Sequence, residues 1–147
     1  MLDNFFQPLL RTLRYIHVML RGTIFCLFIL ILGNALVVTF YTVQGDSMVP
    51  TLHGGSVLVI NRLAYLRSSP SVGDIVVVRY GINDEITFVK RVIAVEGQIG
   101  ILASGAQINI NTGQIFIEGD NKNFSTDSRS YGAIAVSQVV GKVIGNF

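Results

Sequence analysis

The sequence is short of the residues that most often carry chemistry in small domains. It has one cysteine, Cys26, so no intrachain disulfide can form and no second thiol exists. Its two histidines, His17 and His53, are too few for a zinc site at the usual ligand spacing, and no cofactor or metal is expected. Charged residues make up only 14% of the chain and the net charge is +2, which implies no polyanionic partner. The basic residues do not cluster with aromatics as a nucleic-acid surface requires, so no nucleic acid is expected to bind. Low-complexity tracts and clear repeats are also missing.

Apolar residues are abundant instead. They form 50% of the 147 residues, too many for a disordered chain and high for a purely soluble domain. The excess lies near the N-terminus. From Thr23 to Val43 the chain reads TIFCLFILILGNALVVTFYTV, with no charge, which is enough to cross a hydrocarbon core of roughly 30 Å as a helix. Arg11, Arg14 and Arg21 precede this run, and no basic residue follows it until Arg62. The positive-inside rule then leaves residues 1–22 in the cytoplasm, spans a membrane once with 23–43, and puts 44–147 on its far side. The run is longer than the roughly 7–15 apolar residues of a cleavable signal and lacks a small-x-small exit, so a retained anchor is expected.

Beyond Val43 short apolar runs alternate with turn signals. The runs are Val57–Ile60, Ile75–Val78, Ile86–Val89, Val92–Val95, Ile99–Leu102, Gln107–Ile110, Ile115–Ile117 and Val139–Ile144. The turns include Ser68–Ser71, Gly81–Asp84 and Gly97. β-branched residues dominate and no long 3.6-residue period appears, which predicts a mainly β domain: an antiparallel β-sandwich or barrel-like domain behind one N-terminal transmembrane helix. Four residues from Val43 to Ser47 reach at most about 13–14 Å, so Ser47 is expected near the lipid surface.

The chemistry-bearing residues are individually ambiguous. Ser47, in Gly45-Asp46-Ser47-Met48-Val49-Pro50-Thr51-Leu52, is either a turn serine or a nucleophile that needs a neighbouring base. Lys90, after Ile86-Thr87-Phe88-Val89, is either a solvated strand-end charge or a base kept neutral by burial. His53 is a rival base, and Asp74, Asp120 and Asp127 are either supporting acids or turn residues.

Together these elements are more specific. Four boxes stand in order behind the anchor: Gly45 to Leu52, Gly73-Asp74-Ile75-Val76-Val77-Val78, Lys90-Arg91-Val92-Ile93, and Gly119-Asp120-Asn121 with Ser125, Asp127-Ser128-Arg129 and Tyr131-Gly132. In this the chain resembles the type I signal peptidases, Ser-Lys membrane proteases that remove signal peptides from exported preproteins. The resemblance implies that Ser47 is the nucleophile and Lys90 the general base. It implies that Ser125 orients the lysine and that Asp127 and Arg129 form a structural ion pair. Met48, Leu52, Phe88 and Val89 match positions that line the substrate cleft and its small pocket. Partners would be preproteins with signal peptides and the lipid membrane.

Two departures stand out. The family's second oxyanion donor can be a serine two residues before the nucleophile, where this chain has Gly45. After the lysine box, Ala94 and Gln98 replace an expected glycine and aspartate, which predicts an altered turn. Roughly thirty residues separate Lys90 from Gly119, the length of a minimal catalytic core. Two other readings remain at this point: a self-cleaving Ser-Lys regulator, and a catalytically silent anchored β-domain that binds partners in an export or appendage-assembly complex.

Overall fold

The computed structural model describes residues 3–80 and 86–147. The expected turn at Gly81–Asp84 lies outside the described residues. The chain divides into two units, Met1–Leu36 and Val37–Phe147.

The first unit is carried by helix α1, Asp3–Val37, which runs unbroken through the boundary expected between residues 22 and 23. Its segment Arg11–Ile31 is long and apolar enough to cross a membrane, and every side chain described there is exposed. The helix stops at Val37, six residues before the predicted end. Val38-Thr39-Phe40-Tyr41-Thr42 is a β-branched and aromatic run, stiff at χ1, and it forms strand β1 (Val38–Thr42). Hydropathy alone could not separate this strand from the helix, because helix residues 22–37 are as uncharged as the strand. Ten residues therefore part Val37 from Ser47, a reach of up to about 33–36 Å, so the short tether expected from the sequence does not hold.

The second unit continues with β2 (Val57–Asn61), β3 (Ile75–Tyr80), β4 (Ile86–Val95), β5 (Ile99–Ile101), β6 (Gln107–Asn109), β7 (Gln114–Glu118), β8 (Ile134–Ala135) and β9 (Val139–Asn146). Seven strands make one sheet in the order β1-β2-β9-β3-β4-β7-β8, and β5 and β6 make a separate ribbon. Every pairing is antiparallel. Among the described residues β8 does not pair with β1, so the sheet is not a closed barrel. Register shifts at Val59/Ile60, Val77/Val78 and Val92/Ala94 mark bulges, which bend and twist a sheet.

Burial explains the unbroken apolar run in β3. Alternate residues of a strand point to opposite faces, and here both faces are covered. Val77 joins Val43, Met48, Leu52, Leu58, Ile60 and Val89 on one side. Val76 and Val78 join Val92, Ile115, Ile117 and Ile134 on the other. A third cluster, Ala94, Ile110 and Phe116, adjoins the β5–β6 ribbon. There Gly100 is required, because a Cβ would come within 2.5 Å of the Phe116 ring. The turn after β4 is tight at Gly97, with φ of 79°. Gln98 closes it: its side-chain oxygen accepts from Val95 N–H at 3.0 Å, and its own N–H donates to the Val95 carbonyl. In this turn the glutamine amide oxygen caps a strand-end N–H.

Candidate active site

Ser47 lies on the loop that leaves β1. Gly45 supplies a left-handed residue there, φ 75°. Val49 N–H donates to the Asp46 carbonyl and Leu52 N–H to the Met48 carbonyl, which winds residues 46–52 into tight turns. Met48 and Leu52, 1% and 3% exposed, anchor those turns in the core. A second loop locks the first from outside. Asn121 N–H donates to the Ser47 carbonyl at 3.0 Å, and the Asn121 side-chain amide donates to the Asp46 carbonyl at 3.1 Å.

Lys90 is interior to β4 rather than at a strand end, opposite Val76 of β3. Its side chain is on the face shared by Phe88, Val92 and the buried Val76 and Val78, and the residue is 2% exposed. Lys90 Nζ stands 2.7 Å from Ser47 Oγ and 5.5 Å from the centre of the Phe88 ring. Burial disfavours the charged form and holds the Lys90 amine below the usual lysine range, although the nearby Asp127 carboxylate pulls it partly back up. An ammonium at that distance donates to the serine oxygen. A free amine can accept the serine's proton.

The last box is built around Asp127, which is fully buried. Its carboxylate accepts from Ser125 Oγ at 2.6 Å, from Gly119 N–H at 2.9 Å and from Arg129 Nε at 2.8 Å. Burial opposes its charge, but Arg129, Ser125 and the Gly119 N–H outweigh that and hold the carboxyl below the ordinary range. Asp127 also caps the short helix α2 (Ser128–Tyr131) by accepting from Arg129 N–H. Arg129 and Asp127 are thus an ion pair within one box. Ser125 donates its hydroxyl to Asp127, and among the described residues no hydrogen bond joins it to Lys90. It still crowds the site: a Cβ on Gly119 would collide with Ser125 Oγ and come within 2.5 Å of the Ser47 carbonyl oxygen.

The other candidates separate cleanly. Asp120 forms a bidentate pair with Arg91, 2.8 Å to Nε and 2.7 Å to Nη2. Arg91 also donates to the Gly73 carbonyl at 3.0 Å and lies 3.4 Å from Thr51 Oγ1. One guanidinium therefore ties all four boxes together and holds the Asp120 carboxyl below its ordinary range. Sequence reasoning gave Arg91 no role. The only signal was its place directly after Lys90, which puts it on the opposite face of the strand. Asp74 is occupied by Lys142 at 2.6 Å and Tyr65 at 2.8 Å. His53 is exposed, and no hydrogen bond joins it to Ser47 among the described residues.

A cavity of roughly 30 Å³ opens beside Ser47 and Lys90, lined also by Tyr41, Met48, Phe88 and Val89. Leu52, expected at the cleft, is instead packed into the core cluster and lines no part of this cavity. Its side chain turns inward because the 46–52 turns need an apolar anchor. A larger groove of about 640 Å³ lies between the 50–51 loop and the ribbon, lined by Thr51, Arg91, Ile93, Ile99, Ile101 and Asp120. Among the described residues no three His, Cys, Asp or Glu side chains come together as a metal site would need.

The family model for signal peptidase, peptidase S26, matches residues 15–112 and 100–147. The chain belongs to the signal peptidase S26 family. A mitochondrial ATP-independent inner membrane protease subunit 1b of Arabidopsis thaliana is 36% identical over 108 residues, 68% of this chain and 64% of the relative. A probable signal peptidase I-1 of Synechocystis sp. is 31% identical over 134 residues, covering 71% and 68%. Signal peptidase IB of Staphylococcus aureus is 29% identical over 159 aligned positions, covering 81% and 82%. The chain thus spans a little under two thirds of the length of the Arabidopsis relative.

Proposed function

We propose that this S26-family chain is a membrane-anchored serine endopeptidase that cleaves signal peptides from exported preproteins with a Ser47–Lys90 dyad. The observation that carries the reading is the 2.7 Å contact between a serine hydroxyl and a lysine amine that is almost fully withdrawn from water. Deprotonated, Lys90 takes the hydroxyl proton as Ser47 Oγ attacks the scissile carbonyl. The resulting ammonium then protonates the leaving amine, and water, activated by the same amine, releases the acyl group. The Ser47 backbone N–H is one donor to the oxyanion. Gly45 brings no hydroxyl, so any second donor is a backbone group or water.

Ser125 completes the support. Its hydroxyl is spent on Asp127, which leaves its oxygen lone pairs for the ammonium form of Lys90. The roughly 30 Å³ cavity admits a methyl-sized side chain, which suits a substrate with a small residue before the scissile bond. α1 would anchor the chain in the inner membrane with the β unit on its outer face, as the basic residues before the span favour.

The test is processing of a preprotein by the full chain in detergent. Wild type should release the mature product, and Ser47→Ala and Lys90→Ala should not while keeping the wild-type circular dichroism. Full activity in Lys90→Ala would sink the dyad. If wild type neither cleaves nor reacts at Ser47 with a fluorophosphonate, the silent binding-domain reading gains.

A further inference from the structure

We propose that the Tyr41 hydroxyl is a latch across the peptide cleft, occupying the backbone acceptor on β4 that an incoming substrate strand would use. The inference rests on the reading above that a peptide is the substrate, here taken to bind as an added strand, and it adds a specificity-determining residue that this reading does not contain.

Strand parity locates the acceptor. Val92 N–H donates to the Asp74 carbonyl at 2.9 Å, and Gly73 N–H donates to the Val92 carbonyl at 2.8 Å, so the backbone groups of Val92 face the β3 side. In an antiparallel strand both groups of one residue point the same way, and successive residues alternate. The β3–β4 register is unbroken from Arg91 to Ile86, so Lys90 and Phe88 also face β3, whereas Val89 and Thr87 face away. On that outer side β7 pairs with β4 only from Arg91 to Val95. Among the described residues Thr87 and Val89 therefore form an open edge immediately before Lys90.

An open edge of this kind accepts an added strand. The Tyr41 hydroxyl already donates to the Thr87 carbonyl at 3.2 Å. Tyr41 comes from β1, at the far end of the sheet order, yet it lines the same small cavity as Thr87, Val89 and Lys90. An added strand would place its own N–H about 2.9 Å from that carbonyl and its backbone about 4.8 Å from β4. The hydroxyl holds that position, so an incoming N–H and the tyrosine compete for one acceptor. Seating a peptide therefore breaks the Tyr41–Thr87 bond. Phenylalanine at this position keeps the ring and its packing against the core but removes the tether.

The experiment measures binding apart from chemistry. The full chain in detergent, carrying Ser47→Ala, is titrated with a fluorescein-labelled peptide bearing small residues one and three positions before the bond, and anisotropy is read. Adding Tyr41→Phe should lower Kd about 2- to 10-fold, the weight of one net hydrogen bond. With Ser47 restored, the gain should appear as a lower KM rather than a higher kcat. A purely structural role for the tyrosine would lower the thermal midpoint and leave Kd unchanged or raised, and either Kd result overturns the latch. If wild type cleaves the peptide while Tyr41→Phe leaves Kd unmoved, the latch alone fails. If neither chain binds peptide, both the latch and the peptidase reading fall.

Discussion

Replacing Gly119 by alanine should disable the site through steric crowding alone. Gly119 has no left-handed φ, so its backbone tolerates alanine, and the conflict lies in the new methyl group. The added Cβ would stand 2.5 Å from the Ser47 carbonyl oxygen and from Ser125 Cβ, where ordinary contact begins at 3.4 Å. The neighbours would have to retreat by about 0.9 Å, the difference of those two distances. Neither can do so freely: Asn121 N–H holds the Ser47 carbonyl, and Asp127 holds the Ser125 hydroxyl. Overpacking of this kind costs about 1–3 kcal/mol, and a misplacement of about 1 Å at a reacting group costs on the order of a hundredfold in rate. Gly100→Ala is the matched comparison, since its Cβ meets the Phe116 ring at the same 2.5 Å, away from Ser47. Thermal unfolding and peptide cleavage should be read on both. We expect similar losses of stability, but a roughly hundredfold loss of kcat/KM in Gly119→Ala and a much smaller one in Gly100→Ala. Wild-type cleavage by Gly119→Ala would refute the reasoning.

Two further outcomes follow from the buried charges. Lys90→Met should abolish cleavage yet raise the thermal midpoint near neutral pH, because burial works against the ammonium it removes. The difference from wild type should shrink as pH rises toward 10.5, where wild-type Lys90 loses its charge in both states, and a lower midpoint would contradict the assigned burial cost. Asp127 has a folded-state pKa below its ordinary 3.8, so its stabilisation is complete above that value and is lost as pH falls through the lower folded value. Asp127→Ala should cost about 1–3 kcal/mol near neutrality by leaving the Gly119 N–H and the Ser125 hydroxyl without their acceptor, and should flatten the fall in thermal midpoint below about pH 4, a dependence measurable by calorimetry.

Much of the fold was legible because β-branched runs and turn residues alternate plainly after residue 56. β2, β3, β5, β6, β7 and β9 fall on the expected runs, and the two runs flanking Lys90 merge into β4. β1 was hidden because its residues are as uncharged as the helical residues 22–37 before it, so only the change to β-branched side chains marked it. β8 has two residues, too few for any period. At the site, Ser47 and Lys90 could be named from their boxes, but their contact needed the fold. Asp127 was paired with Arg129 through the resemblance, but Asp74 and Asp120 could not be sorted, since each simply follows a glycine. What distinguishes them is which cation the sheet brings up, Lys142 to Asp74 and Arg91 to Asp120, whereas Arg129 reaches Asp127 from two residues along the chain. Leu52 was misread for a related reason, because spacing from Ser47 does not tell an inward turn from an outward one.

The most direct check of the central claim is the titration of Lys90 Nζ by ¹⁵N NMR in the full chain, set beside the pH profile of kcat/KM. The amine should titrate below the ordinary 10.5, and cleavage should rise with pH along the same curve, unaltered in His53→Ala. A lysine that titrates at its ordinary value, or an acidic limb that vanishes with His53, would contradict a neutral amine as the base that activates Ser47.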